Sequence, residues 1–289
     1  MKIAIASGKG GTGKTFVSVN LFLTLRNMGL EAALIDCDAE APNAMAFLPA
    51  RLASETEIFE YRPVIDTEKC VFCGKCAEWC EYNAIICISP AKYIRMDESL
   101  CHGCAACNTA CKYGAISDSQ IVSGKKSVFE FDNDRCLAEG RTEIGIKSPV
   151  RVIKAITDNP FEKEYDYTIL DSPPGTACPF METVSKADLV LLVTEPTPFG
   201  LSDLKKAVNV LEMTGKPFGV IINRAGLGNH DVYDFLKEKD ISLWGEIPFE
   251  REIAELCSEG KSIKDELPDI KRKFTELALK LEDYGNSRN

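Results

Sequence analysis

Two cysteine runs of the same spacing lie within a chain of 289 residues. The first reads CVFCGKCAEWC over 70–80 and the second reads CHGCAACNTAC over 101–111, so both follow C-x-x-C-x-x-C-x-x-x-C. Three thiolates spaced three residues apart span at most about 10 Å, which lets one loop wrap them around a compact cluster. In a reducing compartment, closely spaced cysteines indicate metal or redox chemistry more often than disulfides. Two zinc sites or a disulfide scaffold are the weaker alternatives, because zinc sites rarely use this four-cysteine spacing.

The two runs resemble those of bacterial-type ferredoxins, in which the fourth cysteine of each run binds the other cluster. This resemblance implies two [4Fe–4S] clusters with crossed ligands. The first predicted ligand set is Cys70, Cys73, Cys76 and Cys111. The second predicted ligand set is Cys80, Cys101, Cys104 and Cys107. Glu81 and Lys112 follow the fourth cysteines where ferredoxins usually have proline, which leaves the local turn and the reduction potential open.

The remaining cysteines stand alone in the sequence: Cys37, Cys87, Cys136, Cys178 and Cys257. A single cysteine usually behaves as a small buried hydrophobe, and we expect that of these five. Cys178, directly after DSPPGTA, is the candidate among them for a further role. His102 lies between two predicted cluster ligands and is expected to be a solvated loop residue rather than a ligand.

A glycine-rich loop near the start of the chain predicts phosphate binding. The stretch GKGGTGKT over 8–15 fits G-x-x-x-x-G-K-[ST] and lies between a predicted strand and a predicted helix. Glycines let backbone N–H groups converge on phosphates, while the lysine reaches the β- and γ-phosphates and the threonine hydroxyl binds Mg²⁺. The predicted ATP-binding residues of this loop are Gly8, Lys9, Gly10, Gly11, Thr12, Gly13, Lys14 and Thr15.

Acidic residues end two predicted strands, at the sheet edge where open α/β folds bind their ligands. Asp171 precedes SPPG and is placed to hold magnesium, with a turn or cap role as the alternative. Asp36 and Asp38 end the second strand, and two acids at this edge indicate a role in the site rather than in solubility. Thr15 and Asp171 are therefore predicted magnesium residues.

Strand and helix signals alternate around these residues, which predicts an α/β fold. Strands are expected at 2–6 and 32–38, in YTILDSPPG, where a turn follows the strand, and in the segments DLVLLVTEP and FGVIINRAG. Between about 61 and 121 the alternation gives way to cysteines and short turns. We therefore predict a P-loop NTPase domain with a mostly parallel sheet, formed by 1–60 and 122–289 and interrupted by a small α+β ferredoxin-like insertion at 61–121.

The loop and three later segments resemble the deviant P-loop ATPases, a family that includes MinD, the nitrogenase iron protein and the Mrp-type iron–sulfur scaffold ATPases. The matching segments are KGGTGKT with Lys9, DCDAEAPN with Asp38 and Asn43, DSPPG, and INR with Asn223. The resemblance implies ATP hydrolysis, an adenine contact from Asn223, and a Lys9 that crosses a two-fold interface to the partner's nucleotide. The resemblance also adds Asp38 to the predicted magnesium residues Thr15 and Asp171, and the predicted catalytic residues are Lys9, Lys14 and Asp38. With the cysteine insertion, the chain is similar to MinD-type ATPases that contain a ferredoxin domain.

Composition and charge limit the partners of the protein. A formal net charge of −10 argues against sequence-independent nucleic-acid binding, which needs a positive surface. The apolar run at 3–6 is too short for a signal peptide or a membrane span, so we expect a cytoplasmic protein. The expected partners are a second copy in a homodimer or a related ATPase in a pseudo-symmetric heterodimer, and an unidentified redox or metallocluster protein.

Three functions use these motifs differently. The first couples nucleotide-driven rearrangement of a dimer to low-potential electron transfer, and it uses every motif. The second is assembly or delivery of a metallocluster, although the scaffold ATPases' C-x-x-C pair is missing from INRAGLGNHDVYDF. The third is a MinD-like positioning role at a membrane. It is disfavoured because Glu276, Glu282 and Asp283 dilute the basic charge that anionic lipid favours. We expect the C-terminal apolar stripe to pack on its own domain instead: Ile270, Phe274, Leu277 and Leu281.

Overall fold

The computed structural model describes residues 1–263 and 267–287. The chain forms two compact units, of which the first comprises Met1–Glu55, Lys126–Arg141 and Ile153–Asn289. The second unit comprises Thr56–Lys125 and Thr142–Val152, so it is larger than the insertion predicted at 61–121. The predicted range 122–289 also includes positions 264–266 and 288–289, which lie outside the described residues.

The described part of the chain contains both strands and helices, numbered here in chain order through both units. The strands are β1 Lys2–Ala6, β2 Ala32–Asp36, β3 Arg51–Ile65, β4 Ile85–Ile88, β5 Tyr93–Met96, β6 Ile116–Phe131, β7 Asp134–Thr142, β8 Tyr167–Asp171, β9 Leu189–Thr194, β10 Phe218–Ala225 and β11 Leu243–Pro248. The helices are α1 Lys14–Asn27, α2 Lys75–Glu78, α3 Ala106–Ala110, α4 Val150–Thr157, α5 Cys178–Ser185, α6 Pro198–Thr214, α7 Asp231–Glu238, α8 Arg251–Ser258 and α9 Pro268–Asn286. Short 3₁₀ turns occupy Ala44–Phe47 and Ser89–Ala91.

The large sheet has the strand order β11-β10-β9-β1-β8-β2-β7-β6-β3. Strand β1 pairs in parallel with β8 and β9, β2 pairs in parallel with β8 and β7, and β10 pairs in parallel with β9 and β11. The predicted α/β fold with a mostly parallel sheet is therefore confirmed. Because parallel strands end at one sheet edge, the phosphate loop after β1 and the acids after β2 and β8 lie at the same edge.

The core of the first unit lies between this sheet and its helices. Strand β1 is almost fully buried, and α1 buries residues on most of its faces, as a helix enclosed by protein does. The predicted apolar stripe of α9 belongs to this core, where Phe274 packs edge-on against Phe16 with ring centroids 5.9 Å apart. The expectation that α9 packs on its own domain is thus confirmed. No helix in the described part of the chain is long and apolar enough to cross a membrane.

Two long strands, β3 and β6, extend across the boundaries predicted for the insertion at 61 and 121. Most of β3 is exposed, so its sequence lacks the alternation of buried apolar residues by which strands are recognised. A two-residue turn joins β6 to β7 at Asp132 and Asn133, whose φ angles of 50° and 60° are typical of tight hairpin turns. The chain passes between the units within β3 and β6, and again at the end of β7 and within α4, so the boundaries differ from those predicted at 61 and 121.

The second unit repeats one arrangement twice. Strands β4 and β5 pair antiparallel, and the short helices α2 and α3 carry the third cysteine of each run. The backbone N–H of Asp66 donates to the carbonyl of Ala115 at 2.8 Å, and that of Asp97 donates to Ala84 at 2.7 Å. Each aspartate precedes its cysteine run by four residues, so these matching bonds follow the internal repeat of the sequence.

Candidate functional site

The predicted phosphate loop lies between β1 and α1, as its motif requires. Gly11 and Gly13 adopt left-handed backbone conformations with φ of 78° and 91°, which residues with a Cβ rarely adopt. A Cβ built on Gly13 would lie 2.3 Å from Nδ2 of Asn223, and one built on Gly8 would lie 2.1 Å from the carbonyl oxygen of Asp203. Backbone conformation and close packing therefore require glycine at three positions of this loop.

Two polar side chains of the loop are buried, and Nζ of Lys14 donates to the carbonyl oxygen of Lys9 at 3.5 Å. The Lys14 side chain is 7% exposed, and burial lowers the pKa of its ammonium group, while Asp171 and Asp38 counteract that effect. The Thr12 hydroxyl is buried and finds no hydrogen-bond partner among the residues described. A buried cation in a glycine-rich loop at the start of a helix forms an environment suited to an anion.

The acids at the strand ends occupy different environments. Asp171 is buried and accepts hydrogen bonds from Thr15 and from Ser18, whose Oγ lies 2.9 Å from Oδ1. Desolvation by burial raises its pKa. Asp38 is partly exposed, and burial raises its pKa as well, while Lys14 lowers it. The structure thus brings the predicted magnesium residues Thr15 and Asp171 into contact and places Asp38 near Lys14.

Asp36 has a structural role that the sequence analysis did not separate from that of Asp38. Its side chain is fully buried and accepts backbone N–H bonds from Asp38 at 3.0 Å and from Asn43 and Ala44 at 2.8 Å each. Desolvation, followed by the charge of Asp171, raises the pKa of Asp36. Asp36 therefore shapes the loop that carries Asp38 and Asn43.

An open cavity of about 380 Å³ adjoins the phosphate loop. Of the predicted site residues, it is lined by Gly10, Gly11, Gly13, Lys14, Thr15, Asp38, Asn43 and Asn223. Gly8, Lys9, Thr12 and Asp171 do not line it. It is also lined by residues that the sequence analysis did not assign to a site, among them Phe47, Phe249 and Cys257. These residues belong to no motif, and only the fold brings them to the loop.

Asn223 joins the phosphate loop to β10. Its Nδ2 donates to the carbonyl of Thr12 at 2.8 Å, and its Oδ1 accepts from the backbone N–H of Arg224 at 2.9 Å. Asn223 is also 7% exposed and lines the cavity. The adenine contact that the family resemblance implies for this residue stays a prediction.

Lys9 lies outside the cavity and pairs with a carboxylate that the sequence analysis did not identify. Its Nζ is 3.3 Å from Oε2 of Glu195, while Arg224 forms an ion pair with the other oxygen of the same carboxylate. The Glu195 side chain is only 9% exposed, whereas that of Lys9 is 31% exposed. Glu195 therefore holds Lys9 within its own chain, and the predicted contact with a partner's nucleotide is not tested by this arrangement.

Two small cavities in the second unit are each lined by cysteines from both runs. The first is lined by Cys70, Cys73, Cys76 and Cys111. The second is lined by Cys80, Cys101, Cys104 and Cys107. Among the described residues, no group of three or more His, Cys, Asp and Glu side chains is arranged to hold a single metal ion. The ligands of a four-iron cluster surround a larger body than one ion, so the cavity linings are the more relevant geometry for cluster binding.

All thirteen cysteines lie in the described part of the chain, and none of them forms a disulfide there. Of the five single cysteines, Cys37 and Cys136 are buried as expected, and Cys87 and Cys257 are partly buried. Cys178 is exposed, which contradicts the expectation of burial, because it is the first residue of α5. His102 is exposed as expected, with its ring stacked on Tyr82 at 3.6 Å.

A family comparison covers most of the chain. The family described as "CobQ/CobB/MinD/ParA nucleotide binding domain" matches residues 3–263. An uncharacterized protein of Methanocaldococcus jannaschii is 31% identical over 295 residues, which cover 99% of this chain and 97% of the relative. A protein of Aquifex aeolicus named iron-sulfur cluster carrier protein is 24% identical over 99% of this chain and 68% of its own length.

Solved structures show the same fold. The septum site-determining protein MinD of Pyrococcus horikoshii, solved with Mg-ADP, aligns with a TM-score of 0.59 and 21% identity over 100% of this chain and 98% of its own. MinD of Aquifex aeolicus aligns with the same TM-score of 0.59 at 20% identity, over 98% of this chain and 96% of its own. At these identities the comparison supports the P-loop NTPase fold, in agreement with the topology of the sheet.

Proposed function

The chain belongs to the CobQ/CobB/MinD/ParA nucleotide-binding family, and from that membership we propose that it is an ATP-binding and ATP-hydrolysing iron–sulfur protein. In this proposal, nucleotide-driven rearrangement of a dimer is coupled to low-potential electron transfer by two [4Fe–4S] clusters. The observation that carries the proposal is the composition of the two cysteine-lined cavities. Each cavity takes three cysteines from one run and the fourth from the other.

The nucleotide part of the proposal is supported by the loop and its cavity. The volume of about 380 Å³ lies within the range of small-molecule sites, and the loop contains the buried Lys14 side chain and the buried, unpartnered hydroxyl of Thr12. In the proposed ATP complex, Lys14 binds phosphate oxygens, and Thr15, Asp38 and Asp171 hold Mg²⁺ directly or through water. When bound, Mg²⁺ neutralises charge on the phosphates. Asp38 orients the attacking water, which is why we assign it to hydrolysis.

The cluster part of the proposal is supported by the chemistry of the donors. Four thiols surround each cavity, and thiolates are the usual ligands of four-iron clusters. Each set also receives a backbone N–H at one cysteine sulfur, from Phe72 to Cys70 at 3.4 Å and from Ala84 to Cys80 at 3.2 Å. Such bonds stabilise negative charge on the ligand. A cluster supplies one-electron redox chemistry when bound.

In this proposal, Lys9 is the residue that links ATP binding to association of two subunits. The Glu195 carboxylate holds Lys9 in the isolated chain, and a partner's bound nucleotide offers the ammonium group a more highly charged site. If Lys9 leaves Glu195 and binds the partner's nucleotide, ATP binding favours the dimer. This follows because a ligand shifts the equilibrium between monomer and dimer only through contacts that differ between the two states. The second subunit is a copy of this chain or a related ATPase.

Cluster delivery is the second candidate function. The names of relatives favour it: an iron-sulfur cluster carrier protein of Pyrococcus furiosus is 26% identical over 97% of this chain, and a cytosolic Fe-S cluster assembly factor Nubp2 homolog of Anopheles gambiae is 25% identical over 92%. The latter name also supports a cytoplasmic location. Against delivery, the segment 222–235 lacks the C-x-x-C pair of the scaffold ATPases. A MinD-like membrane role is the least supported, because the apolar stripe of α9 is buried in the core.

Anaerobic purification of the full chain tests the proposal. We expect about eight iron and eight acid-labile sulfide per chain, as two four-iron clusters require, together with Mg²⁺-dependent ATP hydrolysis. Zinc in place of iron would overturn the electron-transfer function. Transfer of iron and sulfide to an apo-ferredoxin during ATP turnover would favour delivery instead, whereas retention of both clusters through many turnovers would favour electron transfer.

A further inference from the structure

The linings of the two cysteine-lined cavities can be compared residue by residue, because the internal repeat assigns most lining residues of one cavity a counterpart in the other. Tyr82 and Ile85 of the second cavity correspond in the repeat to Tyr113 and Ile116 of the first. Each cavity also has one cysteine sulfur that accepts a backbone N–H bond, Cys70 in the first cavity and Cys80 in the second. Differences between the two linings therefore identify what distinguishes one predicted cluster from the other.

The main polar difference is Tyr61. Tyr61 lines the second cavity. The residue that corresponds to Tyr61 in the other copy of the repeat is Lys92, and Lys92 does not line the first cavity. The Tyr61 hydroxyl oxygen is buried and has no partner of standard hydrogen-bond geometry in the described part of the protein. Burial is the largest cause of the raised pKa of Tyr61. The neighbouring Cys107 raises that pKa further, through its charge and through hydrogen bonding. A buried hydroxyl without a partner is costly unless a ligand supplies the acceptor.

The backbone around Tyr61 is fixed against the second cysteine run. Arg62, which is buried, donates to the carbonyl of Cys101 at 2.8 Å and to that of Glu98 at 3.2 Å. A Cβ built on Gly103 would lie 3.0 Å from the carbonyl oxygen of Tyr61, so the two backbones are in close contact. The tyrosine ring is thus held beside its cavity by the strand β3 rather than by a flexible loop.

The other polar differences between the cavities are weaker. Lys75 lines the first cavity where Ala106 lines the second, but its ammonium is well exposed and forms an ion pair with Glu78 at 2.7 Å. Solvent and the carboxylate screen that charge. His102 replaces Val71 in the second cavity and is also exposed, so water competes for its ring nitrogens.

We propose that the Tyr61 hydroxyl donates a hydrogen bond to the Cys107 thiolate of the second cluster and thereby raises the reduction potential of that cluster above that of the first. This inference rests on the proposed binding of two clusters. Reduction adds negative charge that spreads onto the thiolate sulfurs, and a donor to such a sulfur stabilises the reduced form more than the oxidised form. The effect is strong in a buried site, where water does not compete with the hydroxyl. The second cluster is then the preferred position of the electron in the singly reduced protein.

Redox titration of the full chain, followed by electron paramagnetic resonance, tests this inference. The variants are Tyr61→Phe, which removes only the hydroxyl, and Tyr113→Phe as the matched control at the first cavity. In Tyr61→Phe we expect the higher of the two potentials to fall by about 59 mV, a tenfold change in the one-electron equilibrium, while the lower potential stays unchanged. Tyr113→Phe should leave both potentials as in the wild type, because its side chain is 56% exposed.

A second variant covers the case in which Tyr61→Phe fails to assemble its cluster. Replacement of Tyr61 by 3-fluorotyrosine keeps the ring and makes the hydroxyl a stronger donor, so the higher potential should rise. Two clusters with unchanged potentials in both Tyr61 variants, or an equal shift in Tyr113→Phe, would overturn the inference and leave the proposed function intact. Absence of iron and sulfide from the wild-type protein would instead overturn the proposed function.

Discussion

The substitution Gly13→Ala tests the structure of the phosphate loop quantitatively. Gly13 has a φ of 91°, so alanine there adopts a left-handed backbone at a cost of about 1–2 kcal/mol. The new Cβ would also lie 2.3 Å from Nδ2 of Asn223, which is buried and held by its bonds to Thr12 and Arg224. Displacing that amide breaks the 2.8 Å bond to Thr12 and leaves buried polar groups unpaired, at a further cost of about 1–3 kcal/mol. We expect a total loss of about 2–5 kcal/mol.

Gly11→Ala is the matched control for this experiment. Gly11 also has a positive φ, 78°, but a Cβ built there meets nothing within 4 Å. This control should therefore lose only the conformational part, about 1–2 kcal/mol. Both variants and the wild type are unfolded anaerobically in urea without nucleotide, and far-ultraviolet circular dichroism reports the helices. Equal destabilisation by the two substitutions would show that Asn223 does not restrain Gly13 and would refute the close packing of these two residues.

Four further predictions address the clusters and hydrolysis. Cys80→Ser should impair the cluster of the second run in electron paramagnetic resonance spectra, and selective loss of the first cluster would show that each run binds its own iron. Lys14→Ala should weaken ATP binding by about 10–100-fold in equilibrium titrations, since it removes a buried charged donor; unchanged affinity would place phosphate elsewhere. Asp38→Asn should bind ATP nearly normally but hydrolyse it about 100-fold more slowly, measured by phosphate release; wild-type turnover would remove Asp38 from the mechanism. Lys9→Ala should bind ATP as a monomer yet lose ATP-dependent dimerisation in light scattering, and a variant that still dimerises would contradict the role in trans.

The sequence predicted the parts of the protein that depend on local residue pattern. The strands β1, β2, β8, β9 and β10 are short buried runs, and α1 follows a phosphate-loop motif, so each has a signal within its own residues. The cysteine runs likewise contain their spacing in a few residues. The order of these signals was sufficient to predict an α/β fold with a mostly parallel sheet.

Features that depend on tertiary contacts were not predictable from the sequence. Strand β3 is long and largely exposed, so its residues carry no periodic apolar signal. Glu195 follows β9, and its partners Lys9 and Arg224 come from distant segments that only the sheet brings together. The role proposed for the Tyr61 hydroxyl depends on its proximity to Cys107, which is 46 positions away along the chain. In each case the sequence gives the residue types but does not show which distant residues they contact in the folded protein.

The central claim is that nucleotide state controls electron movement from the clusters. It is tested most directly by the rate at which the dithionite-reduced protein, freed of excess dithionite, reduces a low-potential viologen in the presence of Mg-ATP, Mg-ADP or no nucleotide. We predict that the rate with Mg-ATP differs from the other two and that Lys9→Ala abolishes the difference while retaining both clusters. A rate that is the same in all three nucleotide states, measured on protein with full iron and sulfide content, would contradict the coupling.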